Sequence, residues 1–148
     1  MTDSAVNTRQ QQKERTREAL MDAALGLSVE KGFAQVSLRQ VSQAVGVVPS
    51  AFYRHFDSMD DLGLALVERC FVTLRSMVRD AQRDAKVFDR IIDAAARILV
   101  AAVKESKADF AFVVRERVAG SEPVREAIKH ELDLFESELA VVLARLPN

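Results

Sequence analysis

The 148-residue sequence has one cysteine, three prolines, five glycines, one tyrosine and no tryptophan. A single cysteine, Cys70, allows no disulfide within the chain and no cysteine-based zinc site. Its surroundings, ERCFVTL, read as helix, where a buried structural thiol is expected. No apolar run approaches membrane-spanning length, since AAARILVAAV is broken by Arg97. The first fifteen residues are polar and lack the apolar core and cleavage site of an export signal. A cytoplasmic protein with no membrane partner is therefore expected. Catalytic patterns are missing too: His55 and His130 lie far apart, and there is no Gly-rich phosphate loop, nucleophile elbow or HExxH. Neither an enzyme nor a bound metal or cofactor is expected.

Net charge is −1, which argues against indiscriminate polyanion binding, yet the charge is unevenly spread. From Arg9 to Phe56 seven Lys/Arg (9, 13, 15, 17, 31, 39, 54) face four acids (14, 18, 22, 30), a local excess of +3. From Asp57 onward fourteen basic residues meet seventeen acidic ones. A positive first third on a slightly acidic remainder suits an anionic partner on one face.

Everything that is present reads as helix. Residues 1–8 are polar and expected to be disordered. Leu20, Ala23, Ala24 and Leu27 recur at helical spacing between Arg9 and Lys31, and Gly32 ends that helix. Ser37 is a good N-cap for SLRQVSQAV, closed by Gly46. Pro49 suits the first turn of a helix to about Phe56. Ser58, with Asp60 and Asp61 behind it, opens a long helix to about Ala85. Further helices are expected over Phe88–Glu105, Ala108–Val118 and Glu122–Arg145. The fold class is all-α.

Helix, Gly-containing turn and short helix have the spacing of a helix-turn-helix. Phe52 and Phe56, four apart, share a face with Val48 and should pack on Leu38, Val41, Val45, Leu20, Ala24 and Leu27. A two-turn helix cannot hold its place by propensity alone, so large anchors are needed. The complementary face then offers Ser50, Ala51, Tyr53, Arg54 and His55 to base edges and phosphates. Arg39, behind Ser37, and the basic stretch RQQQKERTR could flank a DNA backbone. The same spacing also suits a helical corner inside a bundle, with its polar face merely solvated.

Residues Arg9 to Leu62 resemble the DNA-binding domain of the TetR family of bacterial transcriptional repressors. The resemblance rests on Ala23-Ala24, KGF at 31–33, SLRQV at 37–41, AVGV at 44–47, FYRHF at 52–56 and DDL at 60–62. It implies a three-helix head (9–57) followed by a helical ligand-binding and dimerisation body (58–148), usually in a homodimer on palindromic double-stranded operator DNA. Lys13, Arg17, Ser37, Arg39, Pro49, Ser50, Ala51, Tyr53, Arg54 and His55 become the DNA-contact candidates. Two positions depart from the family pattern: Met59 stands where a phosphate-binding Lys is frequent, and Ser42 where a small Ala is usual.

The body resembles the branch that represses unsaturated-fatty-acid genes and senses long-chain acyl-CoA, most clearly in RERVAGSEPVREAI. That likeness implies an acyl chain among Phe71, Leu74, Ile98, Val113 and Phe135, with Arg117 near its polar head. Arg115, Glu116 and Arg117 make a charged run that suits internal ion pairs first and a polar headgroup second. Apolar faces are expected from Leu64, Val67, Phe71, Leu74 and Val78; from Ile91, Ile92, Ala95, Leu99 and Ala102; from Phe110, Val113 and Val114; and from Leu132, Phe135, Leu139 and Val142. Family members usually carry two further C-terminal helices that form most of the dimer interface, so a body incomplete after LARLPN is expected. The alternative is a helical ligand- or partner-binding protein without specific DNA binding.

Overall fold

The computed structural model describes residues 2–82 and 91–145, with side chains described for all of these except 2–6, 81–82, 91–95, 98 and 102. The head comprises α1 (Thr2–Lys31), a 3-10 turn (Phe33–Gln35), α2 (Leu38–Val45) and α3 (Pro49–Phe52). The body comprises α4 (Met59–Gln82), α5 (Ile91–Glu105), α6 (Lys107–Ala119) and α7 (Glu122–Ala144). No strand occurs among the described residues, and the fold is all-α. None of the described helices is long and apolar enough to cross a membrane.

α1 begins at Thr2 and not at Arg9, so over residues 2–8 helix replaces the disorder expected for 1–8. Neither Gly nor Pro interrupts the chain before Gly26, and a helix once nucleated propagates through such a run. Its end is set by Gly32, whose N–H reaches the Ser28 carbonyl at 2.8 Å. Gly32 has φ 82° and ψ 147°, a backbone region open to glycine and costly for other residues.

Local signals place the next elements. Ser37 Oγ accepts from the Gln40 N–H at 3.1 Å while Gln40 Oε1 accepts from the Ser37 N–H at 2.9 Å, a reciprocal capping box. Gly46 closes α2 in the left-handed region. Pro49 opens α3, which ends at Phe52, short of the expected Phe56. Backbone bonds from Arg54 to Ala51 and from His55 and Phe56 to Phe52 carry the chain on as tight turns. α4 is capped by Ser58, whose Oγ accepts from the Asp61 N–H at 3.1 Å. Ala85 and Phe88, the expected limits of the flanking helices, lie outside the described residues.

One continuous core joins head and body. It runs from Leu20, Ala24, Val41, Phe52 and Phe56 through Leu62, Leu66 and Phe71 to Phe112, Val124 and Ile128. α4 buries Leu62, Leu66, Val67, Cys70 and Phe71, whereas Leu64, expected inside, is exposed. The buried strip of α4 therefore begins two residues earlier than the expected one. On α6, Val114 is likewise exposed and Phe112 is buried in its place. Leu99 of α5 is exposed, and the Ile91, Ile92, Ala95 and Ala102 side chains lie outside the described residues.

Gly63 makes the junction between head and body close. A Cβ there would lie 2.8 Å from both Phe33 Cε1 and Val124 Cγ2, closer than carbon atoms approach. Phe33 also meets Phe112 edge-on, with ring centroids 5.7 Å apart. Cys70 is buried and its Sγ donates to Asp109 Oδ1 at 3.1 Å. Burial, then that hydrogen bond, pushes the thiol pKa far above its ordinary value. The thiol stays protonated.

Candidate nucleic-acid interface

The interface is built around two buried rings. Phe52 is 0% and Phe56 4% exposed, and their centroids lie 5.6 Å apart. Val41, Leu20 and Ala24 share their core, with Leu38, Val45 and Leu27 partly buried against it. Val48 does not join them. It is 64% exposed because it is the extended N-cap of α3, φ −73° and ψ 151°, and not a residue of the helix itself.

Pinning the rings leaves the opposite side free. Pro49, Ser50, Tyr53 and Arg54 are exposed, with Ala51 and His55 half-buried. Tyr53 is 58% exposed although its ring meets Phe52 edge-on at 5.7 Å. A large ring is thus presented outward on a rigid base. Ser37, Arg39 and Lys13 are also exposed, but the Ser37 oxygen is already occupied as a helix cap.

Positive charge converges on His55. Burial first, then the charges of Lys13, Arg17 and Arg54, hold its pKa below the ordinary histidine value. Its Nδ1 is buried with no hydrogen-bond partner. The imidazole is therefore neutral near pH 7 among three cations, a site whose balance an arriving anion would tip. Arg17 faces inward more than the sequence suggests: Nη1 donates to the His55 carbonyl at 3.0 Å, and the guanidinium carbon lies 4.4 Å from the Phe56 ring centroid.

The two departures from the family pattern have distinct surroundings. Met59 is half-buried against the core, so its side chain packs. Ser42 is 1% exposed and its Oγ has no partner.

Residues 20–66 match the family model for bacterial regulatory proteins, tetR family. Over these residues the chain is similar to that family. A Haemophilus influenzae protein described as an uncharacterized HTH-type transcriptional regulator is 38% identical to the chain over 130 residues, 87% of this chain and 63% of that protein. The crystal structure of superantigen PfiT matches with a TM-score of 0.67 and 22% identity, over 82% of this chain and 65% of that one. This second likeness concerns the fold alone. The chain spans less than two thirds of the length of either relative.

Behind the head, the candidate ligand residues are scattered in their environments. Phe71 and Val113 lie in the shared core, Leu74 is half-buried against it, and Phe135 is half-buried on α7. Arg117 is exposed on α6, and the Ile98 side chain lies outside the described residues. A groove along α5, lined by Ala96, Arg97, Val100, Ala101, Lys104 and Glu105, contains none of these six.

The sequence offers the neighbours of Arg117 for internal ion pairs or a polar headgroup, and the structure joins them to backbone groups of the head instead. Glu116 is 1% exposed, and its Oε1 accepts from the Phe33 N–H at 2.7 Å. Arg115 Nη1 donates to the Ser28 and Val29 carbonyls at 2.9 and 3.1 Å, capping the end of α1. The charged run on α6 thus grips the head. Arg69 of α4 adds a second tie, pairing with Glu18 and Asp22 of α1 at 3.1 and 2.8 Å. Arg75 ties α4 to α7 through Glu131 and Glu138 at 2.6 and 3.2 Å.

Proposed function

We propose that this chain is a transcriptional regulator that binds palindromic operator DNA through α2 and α3. The observation carrying the reading is the two-sided α3 segment, with Phe52 and Phe56 in the core and Ser50, Tyr53 and Arg54 exposed beside Lys13 and His55. A helical corner serving only packing has no use for a rigidly mounted outward Tyr amid cations. In this reading Ser50, Ala51 and Arg54 meet bases, and Tyr53, His55, Lys13 and Arg39 meet phosphates. The match of residues 20–66 to the tetR family and the name of the Haemophilus influenzae relative support it.

The regulator works in the cytoplasm as a homodimer, each head taking one half-site about one or more helical turns (~34–36 Å each) from the other. Its effector is an amphipathic small molecule, and the resemblance of RERVAGSEPVREAI favours long-chain acyl-CoA and control of fatty-acid genes. An effector acts by favouring one arrangement of the heads over another. Two routes from body to head are available for this: α4 with Arg69, and α6 with Arg115 and Glu116. Titrating the chain with a palindromic duplex from its own promoter, with and without acyl-CoA, tests the reading. Acyl-ligand binding without sequence-specific DNA binding would favour a helical sensor protein instead.

A further inference from the structure

Of the cations on the first helix, Lys13 is exposed, whereas Arg17 is partly withdrawn. One Arg17 nitrogen donates to the His55 carbonyl at 3.0 Å, and the same guanidinium sits 4.4 Å from the centre of the Phe56 ring. His55 and Phe56 end the segment that begins at Pro49, just where regular helix gives way to turns after Phe52. A four-residue helix supplies almost no stability of its own. Its far end needs an external hold, and Arg17 is the long-range side-chain contact that reaches the His55 backbone.

We infer that Arg17 is a positioning residue that sets the angle of the recognition segment by clamping its last turn, and that it does not serve as a phosphate ligand. The geometry requires a guanidinium. A planar fork lies over a ring while one N–H in its plane reaches sideways to a carbonyl, whereas an ammonium is a compact point charge without that shape. Tyr53 and Arg54 stand between the buried Phe52 and the clamped His55, so loosening the clamp lets both exposed side chains wander. Lys13, one turn earlier on α1, is exposed and remains available to a phosphate, as do the exposed Arg9 and Arg15 of the same helix. This inference rests on the DNA-binding reading for its consequence, but the clamp itself is a property of the free protein.

The test compares Arg17→Lys and Arg17→Met with the natural full-length chain. Both keep the aliphatic stem; Lys keeps the charge as well. In the free protein, hydrogen exchange of the Arg54, His55 and Phe56 amides should accelerate about tenfold in both variants, with the α7 amides unchanged. On a palindromic duplex well below the melting temperature, Arg17→Lys should bind about tenfold more weakly at unchanged salt slope, because the charge is retained. A phosphate ligand behaves in the opposite way. Arg17→Lys would then keep its affinity and its exchange rates, and Arg17→Met would lower the slope by about 0.9; that result overturns the inference. If the natural chain shows no specific DNA binding at all, the DNA-binding reading falls, while the exchange rates still decide the role of Arg17.

Discussion

The backbone N–H of Phe33, in the head, donates to the carboxylate of Glu116, in the body, at 2.7 Å. Around this bond the Phe33 ring meets Phe112, and Arg115 caps the end of α1. Gly32 turns the chain with Arg115 Cδ 3.2 Å from where a Cβ would stand. Head and body are thus joined by directional bonds as well as by shared apolar packing. α6 holds the end of α1 and the turn that follows it through direct contacts.

Glu116→Ala should destabilise the protein by ~1–3 kcal/mol, since it strands the buried Phe33 N–H. Glu116→Gln keeps an acceptor and should cost less. Denaturant unfolding of the two variants measures the difference; equal losses would mean that packing, and not the hydrogen bond, is what matters there.

Ser42→Ala should raise stability by ~1 kcal/mol, because a buried hydroxyl without a partner carries a desolvation penalty that a methyl group does not. The position lies on the inner side of α2, so DNA affinity should stay within a factor of about two, a change worth under ~0.5 kcal/mol. Paired thermal melts and duplex titrations check both halves.

Phe52→Ala should cost ~3–5 kcal/mol and unfold the head, as removal of a fully buried ring does. Tyr53→Ala and Arg54→Ala, at exposed positions, should instead leave the melting temperature within a few degrees and weaken specific DNA binding, each by ~1–3 kcal/mol. Unchanged operator affinity in both surface variants would mean that another face meets DNA.

DNA binding should strengthen as pH falls. His55 is held below its ordinary pKa in the free protein by burial and by Lys13, Arg17 and Arg54. A phosphate beside it favours the imidazolium and raises the pKa on binding, so association takes up a proton. Affinity should rise as pH falls from neutrality through the ordinary histidine value and below it, by about tenfold in all for each unit of pKa gained on binding. His55→Gln should flatten the profile. The effect on folding has the opposite sign: the unfolded chain takes up the proton more readily, so the contribution of His55 to stability is present above its unfolded pKa and is lost as pH falls through and below that value.

How much of this was legible in the sequence depends on the distance over which each feature is encoded. The α2 boundaries follow from Ser37 and Gly46, a cap and a left-handed stop at each end of one short segment. Burial of Phe52 and Phe56 follows from their spacing within one turn. Val48 was misplaced because helical phase was carried across a residue whose backbone is extended. Leu64 and Val114 were misplaced because α4 and α6 have apolar residues on more than one side, and periodicity alone does not choose among them. The clasp was invisible for another reason. Glu116 and Phe33 lie 83 residues apart, and a charged triplet reads as internal ion pairs or a headgroup contact until the backbone donor it meets is in place. Arg17 shows the same limit, its partner being 38 residues away.

The most direct test of the account is the affinity of the full-length chain for a palindromic duplex from its own promoter, against a scrambled duplex of the same composition, across a range of salt. The account predicts binding to the palindrome at least ~10³-fold tighter than to the scrambled duplex, falling steeply as salt rises. Equal, weak and purely salt-controlled binding to both duplexes would contradict it and leave a helical protein whose exposed Tyr53 and Arg54 serve some other partner.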